Sequence, residues 1–195
     1  AELRLLSNER SRLFGDSTGW VAGIYYLGDR EDLQRTYTYL ESDFESSYDT
    51  DTLALFGQLD TALSERLTLV TGLRVEQRET DYEDNNGVEG DPDKDLWGGR
   101  VALEYDLADR HLLYASVSRG YRANGVNASI LASMEAFDDP AIVEQLSRYQ
   151  EFDEEHLYNY EIGFKGRFLQ DTLQARLALF YMDGDDQQVK GALPF

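Results

Sequence analysis

The sequence predicts an all-β protein: an antiparallel, up-and-down segment of transmembrane β-barrel wall with about eight strands. Three observations carry that prediction. Short connectors at 63–66, 106–110 and 169–172 take turns with polar stretches several times longer. Between them, segments of ten or more residues place apolar side chains on every second position, as in Tyr158, Tyr160, Ile162, Phe164 and Phe168. The 13 Tyr and 9 Phe against 3 Pro favour pleated ladders, which aromatic residues suit and proline cannot join. Barrel walls have this rhythm because lipid-facing residues alternate with lumen-facing ones, with tight turns on one membrane side and long loops on the other.

The strands expected in chain order are 2–7, 20–29, 52–62, 67–82, 95–107, 111–122, 156–168 and 173–188. The first is short. About ten residues at ~3.3 Å each, tilted near 40–45°, cross an apolar band of roughly 25 Å, and most of the other segments reach that length. The connectors 83–94 and 123–155 are acidic and rich in turn formers, including Asn-Asn-Gly, Glu-Gly-Asp-Pro and Asp-Asp-Pro, with a helical stretch expected at 141–149.

Two hairpins test the alternation, since a one-residue slip moves every side chain to the other face. Across 106–110, Trp97, Gly99, Val101, Leu103 and Tyr105 align with Tyr121, Arg119, Val117, Ala115 and Leu113, leaving Arg100, Glu104, Ser116 and Ser118 behind. Across 169–172, Tyr160, Ile162 and Phe164 align with Tyr181, Leu179 and Leu177, leaving Asn159, Glu161, Lys165, Arg167, Gln174 and Arg176 behind. One face is apolar and the other charged. Arg119 breaks the pattern on the apolar face, and Phe56, Leu112 and Phe180 break it on the charged one. Tyr82, Trp97, Tyr121, Tyr158, Tyr160 and Tyr181 fall where strands meet long loops, the place of an interfacial aromatic girdle.

A formal charge of −20, from 38 acidic and 18 basic residues, repels a phosphate backbone, so nucleic acid is not an expected partner. No apolar run is long enough for a membrane helix, and Glu2, Arg4, Glu9 and Arg10 interrupt any signal-peptide stretch at the start. Without cysteine there is neither a disulfide framework nor a thiolate metal site. His111 and His156 are expected on opposite membrane sides, no nucleophile elbow is present, and the aspartates at 91, 93, 95, 183, 185 and 186 do not follow a calcium-loop spacing. Neither catalysis nor a cofactor is expected.

The segments themselves resemble the barrel of TonB-dependent outer-membrane receptors of Gram-negative bacteria. The resemblance runs through Arg4-Leu-Leu-Ser7, Trp20-Val-Ala-Gly-Ile-Tyr-Tyr-Leu27, Ala54-Leu-Phe-Gly-Gln-Leu-Asp60 and Leu67-Thr-Leu-Val-Thr-Gly-Leu-Arg-Val-Glu76. It continues through Tyr114-Ala-Ser-Val-Ser-Arg-Gly-Tyr-Arg-Ala-Asn-Gly-Val-Asn127, Leu157-Tyr-Asn-Tyr-Glu-Ile-Gly-Phe-Lys-Gly166 and Leu179-Phe-Tyr-Met-Asp-Gly-Asp-Asp-Gln-Gln-Val189. It implies a partial barrel domain over 1–195, from a barrel of twenty-two strands closed around a plug, neither plug nor TonB box being visible in the sequence. Ala123-Asn124-Gly125-Val126-Asn127 departs from the double glycine and Phe usual in similar receptors, and Phe195, after Leu193-Pro194, reads as a cut end.

What the resemblance implies is import of scarce nutrients, ferric siderophore or a similar metal chelate first. The implied partners are outer-membrane lipid, the plug and remaining strands of the same receptor, and the TonB complex. Arg122, Asn124 and Asn127, at the foot of the longest loop, are candidate ligand contacts, although turn chemistry accounts for the same residue types. Arg74, Glu76, Arg100, Glu104, Glu161, Lys165 and Arg176 are candidate lumen- or plug-facing groups, although a solvated face accounts for them individually. Two other architectures fit the alternation: a complete eight-stranded barrel serving as a passive pore or surface protein, and a soluble β-sandwich binding module whose charged face meets water.

Overall fold

Eight strands pair in chain order into one antiparallel meander: β1 (Glu2–Leu6), β2 (Thr18–Arg35), β3 (Phe44–Ala62), β4 (Leu67–Asp84), β6 (Lys94–Ala108), β7 (His111–Arg122), β10 (Glu155–Phe168) and β11 (Leu173–Asp185). Three two-residue strands lie in the connectors: β5 (Glu89–Gly90) pairs with β4, while β8 (Gly125–Val126) pairs with β9 (Glu151–Phe152). These elements come from a computed structural model that describes residues 1–36, 38, 43–127, 130 and 139–188. The C-terminal Phe195 lies outside the described residues.

β1 and β11 form the two edges of this sheet and do not pair with each other, so among the described residues the sheet is open rather than a closed small barrel. Among the described residues no second sheet stacks on the apolar face either. Leu55, Leu73, Val101, Ile162 and Leu179 remain exposed there, against the sandwich reading. Water-soluble monomers rarely expose contiguous apolar patches larger than a few hundred Å².

The hairpin registers are those that keep the apolar stripes aligned. Val101 pairs with Val117, Leu103 with Ala115 and Tyr105 with Leu113, and across the next hairpin Tyr160, Ile162 and Phe164 pair with Tyr181, Leu179 and Leu177. The tight turn after β10 holds Leu169, Gln170 and Asp171 at positive φ, and the Thr172 hydroxyl donates to the Leu169 carbonyl at 2.6 Å. Its Asp171 carboxylate accepts from Arg110 at 2.9 Å, tying neighbouring turns together.

The largest departure from the sequence expectation is at the loop end of β2 and β3, which continue as a paired hairpin to Arg35 and Phe44. Leu33, Phe44 and Tyr48 stand there among charged and hydroxyl-bearing side chains, too few apolar positions for an alternation to announce a strand. The backbone ladder closes regardless, with cross-strand support from Arg30 to Asp49 at 3.5 Å. In the long connector, the helix α1 (Pro140–Ser147) starts where Asp139 accepts from the Ala141 amide at 2.9 Å with Pro140 in the first turn. It ends two residues before the expected boundary.

Candidate functional site

The charged face carries two side-chain networks. In the first, the Arg74 guanidinium donates to Glu76 Oε2 at 2.5 and 3.0 Å and to the Tyr121 hydroxyl at 3.2 Å. The Tyr121 hydroxyl in turn donates to Glu76 Oε2 at 2.9 Å, and the guanidinium lies 5.1 Å from the centre of the Tyr25 ring. In the second, the Tyr114 hydroxyl donates to Glu161 at 2.5 Å while Lys165 Nζ lies 4.9 Å above the Tyr114 ring. Register places Arg100, Glu104 and Arg176 on this same face: Glu104 pairs with Tyr114 and Lys165 with Arg176. Partly buried networks of this kind hold their geometry better than isolated exposed pairs.

Close packing on this face depends on glycine. Gly163 pairs with Tyr114 and Gly23 with Phe56, and each ring lies across the glycine so closely that a Cβ there would overlap it. That accounts for Phe56, an apolar residue among charges, which Arg4 also covers at 5.6 Å from the ring centre. Leu112 sits opposite Lys165, and Phe180 lies exposed on edge strand β11.

Two residues expected in the aromatic girdle lie elsewhere. Tyr82 is 4% exposed, packs edge-on against Tyr48 at 6.2 Å and donates to Asp84 at 2.9 Å. The β3–β4 register runs without interruption to Ser46 and Asp84, which puts Tyr82 in phase with Arg74 and Glu76. Tyr121 leaves the apolar face for a different reason. Pairing of β6 with β7 stops at Gly99 and Arg119, so Trp97 does not pair with Tyr121; the Tyr121 ring passes over Gly98 and reaches Glu76. Trp97, Tyr158, Tyr160 and Tyr181 do share the apolar face, and Tyr26, missed in the sequence, joins them, its hydroxyl donating to Asp51 at 2.6 Å. Arg119 stands among these rings, 4.1 Å from the centre of Trp97 and 5.9 Å from that of Tyr158, with His156 Nδ1 at 2.8 Å. A cation over aromatic faces is a favourable placement, which explains its presence on an apolar stripe.

The candidate ligand residues divide. Arg122 is exposed at the end of β7. Asn124 is 8% exposed and donates to the Pro92 carbonyl at 2.5 Å, which makes it a fastener between two connectors and corrects its reading as a group facing incoming ligand. The Asn127 amide donates to the Gln150 carbonyl at 2.7 Å, closing the foot of the long loop. Lys94, Asp153 and Glu154, which sequence reasoning did not single out, join them, and so does Gln188. Lys94 Nζ pairs with Glu154 at 2.7 Å and Asp153 at 3.5 Å, and Gln188 Nε2 donates to the carbonyls of Ala123 at 2.9 Å and Asp153 at 2.8 Å. Nothing in the one-dimensional pattern marks them, because their partners lie across connectors whose pairing is not periodic.

Burial pushes the Glu154 carboxyl up, and the ion pair with Lys94 and the nearby His156 more than reverse that, so it titrates below its ordinary 4.5. A depressed carboxylate contributes stability that is complete above the unfolded value and is lost as pH falls through the folded one. The Lys94–Glu154 pair is therefore expected to persist when acidification reaches the ordinary carboxylate value and to open only below it, as a carboxyl-resolved NMR titration of Glu154 would record.

A single up-and-down meander, apolar outside and ionic within, with tight turns at one end and long connectors at the other, is a segment of β-barrel wall. The family model described as "TonB dependent receptor-like, beta-barrel" matches residues 2–194, and the chain belongs to that family. Among solved structures it is similar to the ferric yersiniabactin uptake receptor FyuA of Yersinia pestis, at 21% identity and TM-score 0.70 over 96% of this chain and 28% of that one. It is also similar to the alcaligin outer membrane receptor FauA of Bordetella pertussis, at 20% identity and TM-score 0.67 over 98% and 30% of the two chains. A third is the ferric-catecholate import receptor Fiu of Escherichia coli K12, at 13% identity and TM-score 0.67 over 94% and 30%. The chain thus spans less than a third of the length of these receptors. The family model that matches is described as receptor-like.

Proposed function

We propose that this chain is part of the wall of a TonB-dependent receptor in the outer membrane of a Gram-negative bacterium, importing a scarce nutrient as a ferric siderophore or similar metal chelate. The observation that supports this most is the division of one sheet into an exposed apolar face and a face of connected ionic networks. Lipid covers the first. The plug of the same receptor packs against the second, where Arg74, Glu76, Arg100, Glu104, Glu161, Lys165 and Arg176 supply hydrogen bonds and ion pairs. Further strands of the receptor continue the sheet from β1 and β11, and the TonB complex supplies the energy. Family membership and the likeness to receptors of which two are named for ferric cargo support this choice of cargo over other nutrients.

The test is uptake of a panel of radiolabelled ferric chelates by cells making the full-length receptor. At least one chelate is expected to enter, and to stop entering when TonB is deleted; entry without TonB would indicate a passive pore instead. Replacing Arg122 and Asn127 with Ala is expected to weaken binding of that chelate roughly tenfold, since one hydrogen bond to a charged group is worth about 1.5–3 kcal/mol. Unchanged affinity would remove both from the ligand site.

A further inference from the structure

The connectors at the loop end interlock. Residues 85–93 fold back so that β5 pairs with β4 at Tyr82 and Glu83, and Asp93 accepts from the Thr80 amide at 3.0 Å. Both feet of the next connector then fasten to them: Asn124 to Pro92 on one side, and Glu154 and Asp153 to Lys94 on the other. Between these feet, β8 and β9 form a two-stranded clip. A Cβ placed on Gly125 would stand 3.1 Å from Tyr48 Oη, and one on Gly90 would stand 3.8 Å from Val126 Cγ2. The clip therefore rests over the loop end of the ionic face, where Thr80, Tyr82 and Leu96 are 2%, 4% and 3% exposed. Gln188, just beyond β11, joins the same assembly. Its side chain spans the carbonyls of Ala123 and Asp153, and its amide donates to Glu155 Oε2 at 3.1 Å.

We propose that residues 85–93, the two feet of the long connector at 123–127 and 150–154, and residues 186–188 form one mechanical block, fastened by Lys94 and Gln188, that moves as a unit over the mouth of the barrel. Three features point to a block rather than three independent loops. Each fastener bridges separate connectors, since Lys94 lies 59 residues from Asp153 and Gln188 lies 65 from Ala123. The bonds engage main-chain carbonyls as well as side chains, so they fix backbone positions. The backbone at Gly125 lies directly under the Phe152 ring, and that at Gly90 lies beside the side chains of Glu151 and Val126, so the connectors touch through side chains as well. On this geometry, a displacement at the exit of β11 is transmitted through Gln188 to both feet of the neighbouring connector, and through Lys94 and Asn124 to the one beyond.

The inference rests on the barrel reading but not on the cargo, and its test uses the full-length receptor in lipid nanodiscs without ligand. Nitroxides at Asn86→Cys and Gln187→Cys, in two different segments of the block, should give a single narrow distance distribution by pulsed electron paramagnetic resonance. In a Lys94→Met, Gln188→Ala background that narrow peak should be lost, and restoring Lys94 as Arg beside intact Gln188 should bring it back. A narrow peak that survives loss of both fasteners, or a broad one in the parent, overturns the block. A second measurement leaves the fasteners intact: Gly90→Cys with Val126→Cys should oxidise to a disulfide in the resting receptor, and failure to do so also overturns it. Assembly of each variant is read from heat-modifiable gel migration. Because no chelate takes part, an error in the proposed cargo leaves these outcomes unchanged.

Discussion

Leu103→Arg is expected to destabilise the receptor in lipid by about 2–4 kcal/mol, whereas Ser116→Arg, at matching depth on the neighbouring strand, is expected to be tolerated. Leu103 lies mid-strand on the exposed apolar face, paired with Leu69 and Ala115. Ser116 lies on the ionic face, where it pairs with Glu161 and Ala102. An arginine at the bilayer midplane of a barrel's lipid side costs about 2–4 kcal/mol, while the same group near Glu161 gains a counter-ion in a polar interior. Urea titration of the receptor folded into lipid vesicles measures the difference. Equal tolerance at the two sites would mean that the apolar face does not meet lipid, and the transport proposal would go with it.

The second large effect is expected at the glycines that lie under aromatic rings. Gly23→Ala places a methyl group against the Phe56 ring and 2.9 Å from the main-chain oxygen of Leu3. A ring can turn aside, but the β1 backbone can yield only by giving up its pairing with β2. Gly163→Ala differs, because its three nearest neighbours are all atoms of the Tyr114 side chain. Both substitutions are expected to destabilise the barrel by about 1–3 kcal/mol, the usual cost of overpacking. Their rescue should differ: Tyr114→Ala should recover most of the loss at Gly163, and Phe56→Ala should recover little at Gly23. Double-mutant cycles in the same urea assay resolve the two cases.

The strand order, the hairpin registers and the two faces were legible because each is written locally. A period of two and a tight turn determine where Val101 and Val117 meet, without knowledge of the rest of the chain. What was not legible depends on pairings across long connectors. Tyr114 opposite Gly163 is invisible until β7 and β10 are aligned, and 32 residues separate those strands. Tyr82 and Tyr121 were placed by their nearness to loops, which gives depth in the membrane but not the face. Phase decides the face for Tyr82; for Tyr121 it is decided by the end of pairing at Gly99 and by Gly98, whose lack of a side chain lets the ring cross. Asn124 shows the same limit in the candidate site. The residue type suits a ligand contact and a loop fastener equally, and only the position of Pro92 separates them.

The paired extension of β2 and β3 has a consequence for how molecules arrive. At about 3.4 Å per residue, the seven residues from Asp29 to Arg35 lift a two-stranded fin some 24 Å along its own axis. Asp29, Glu31, Asp32, Glu45 and Asp49 line this fin. In the receptor proposed above, the five carboxylates of this fin outnumber Arg30 and Arg35, so a diffusing anion meets a net negative screen ahead of the opening and sorting by charge begins outside the bilayer.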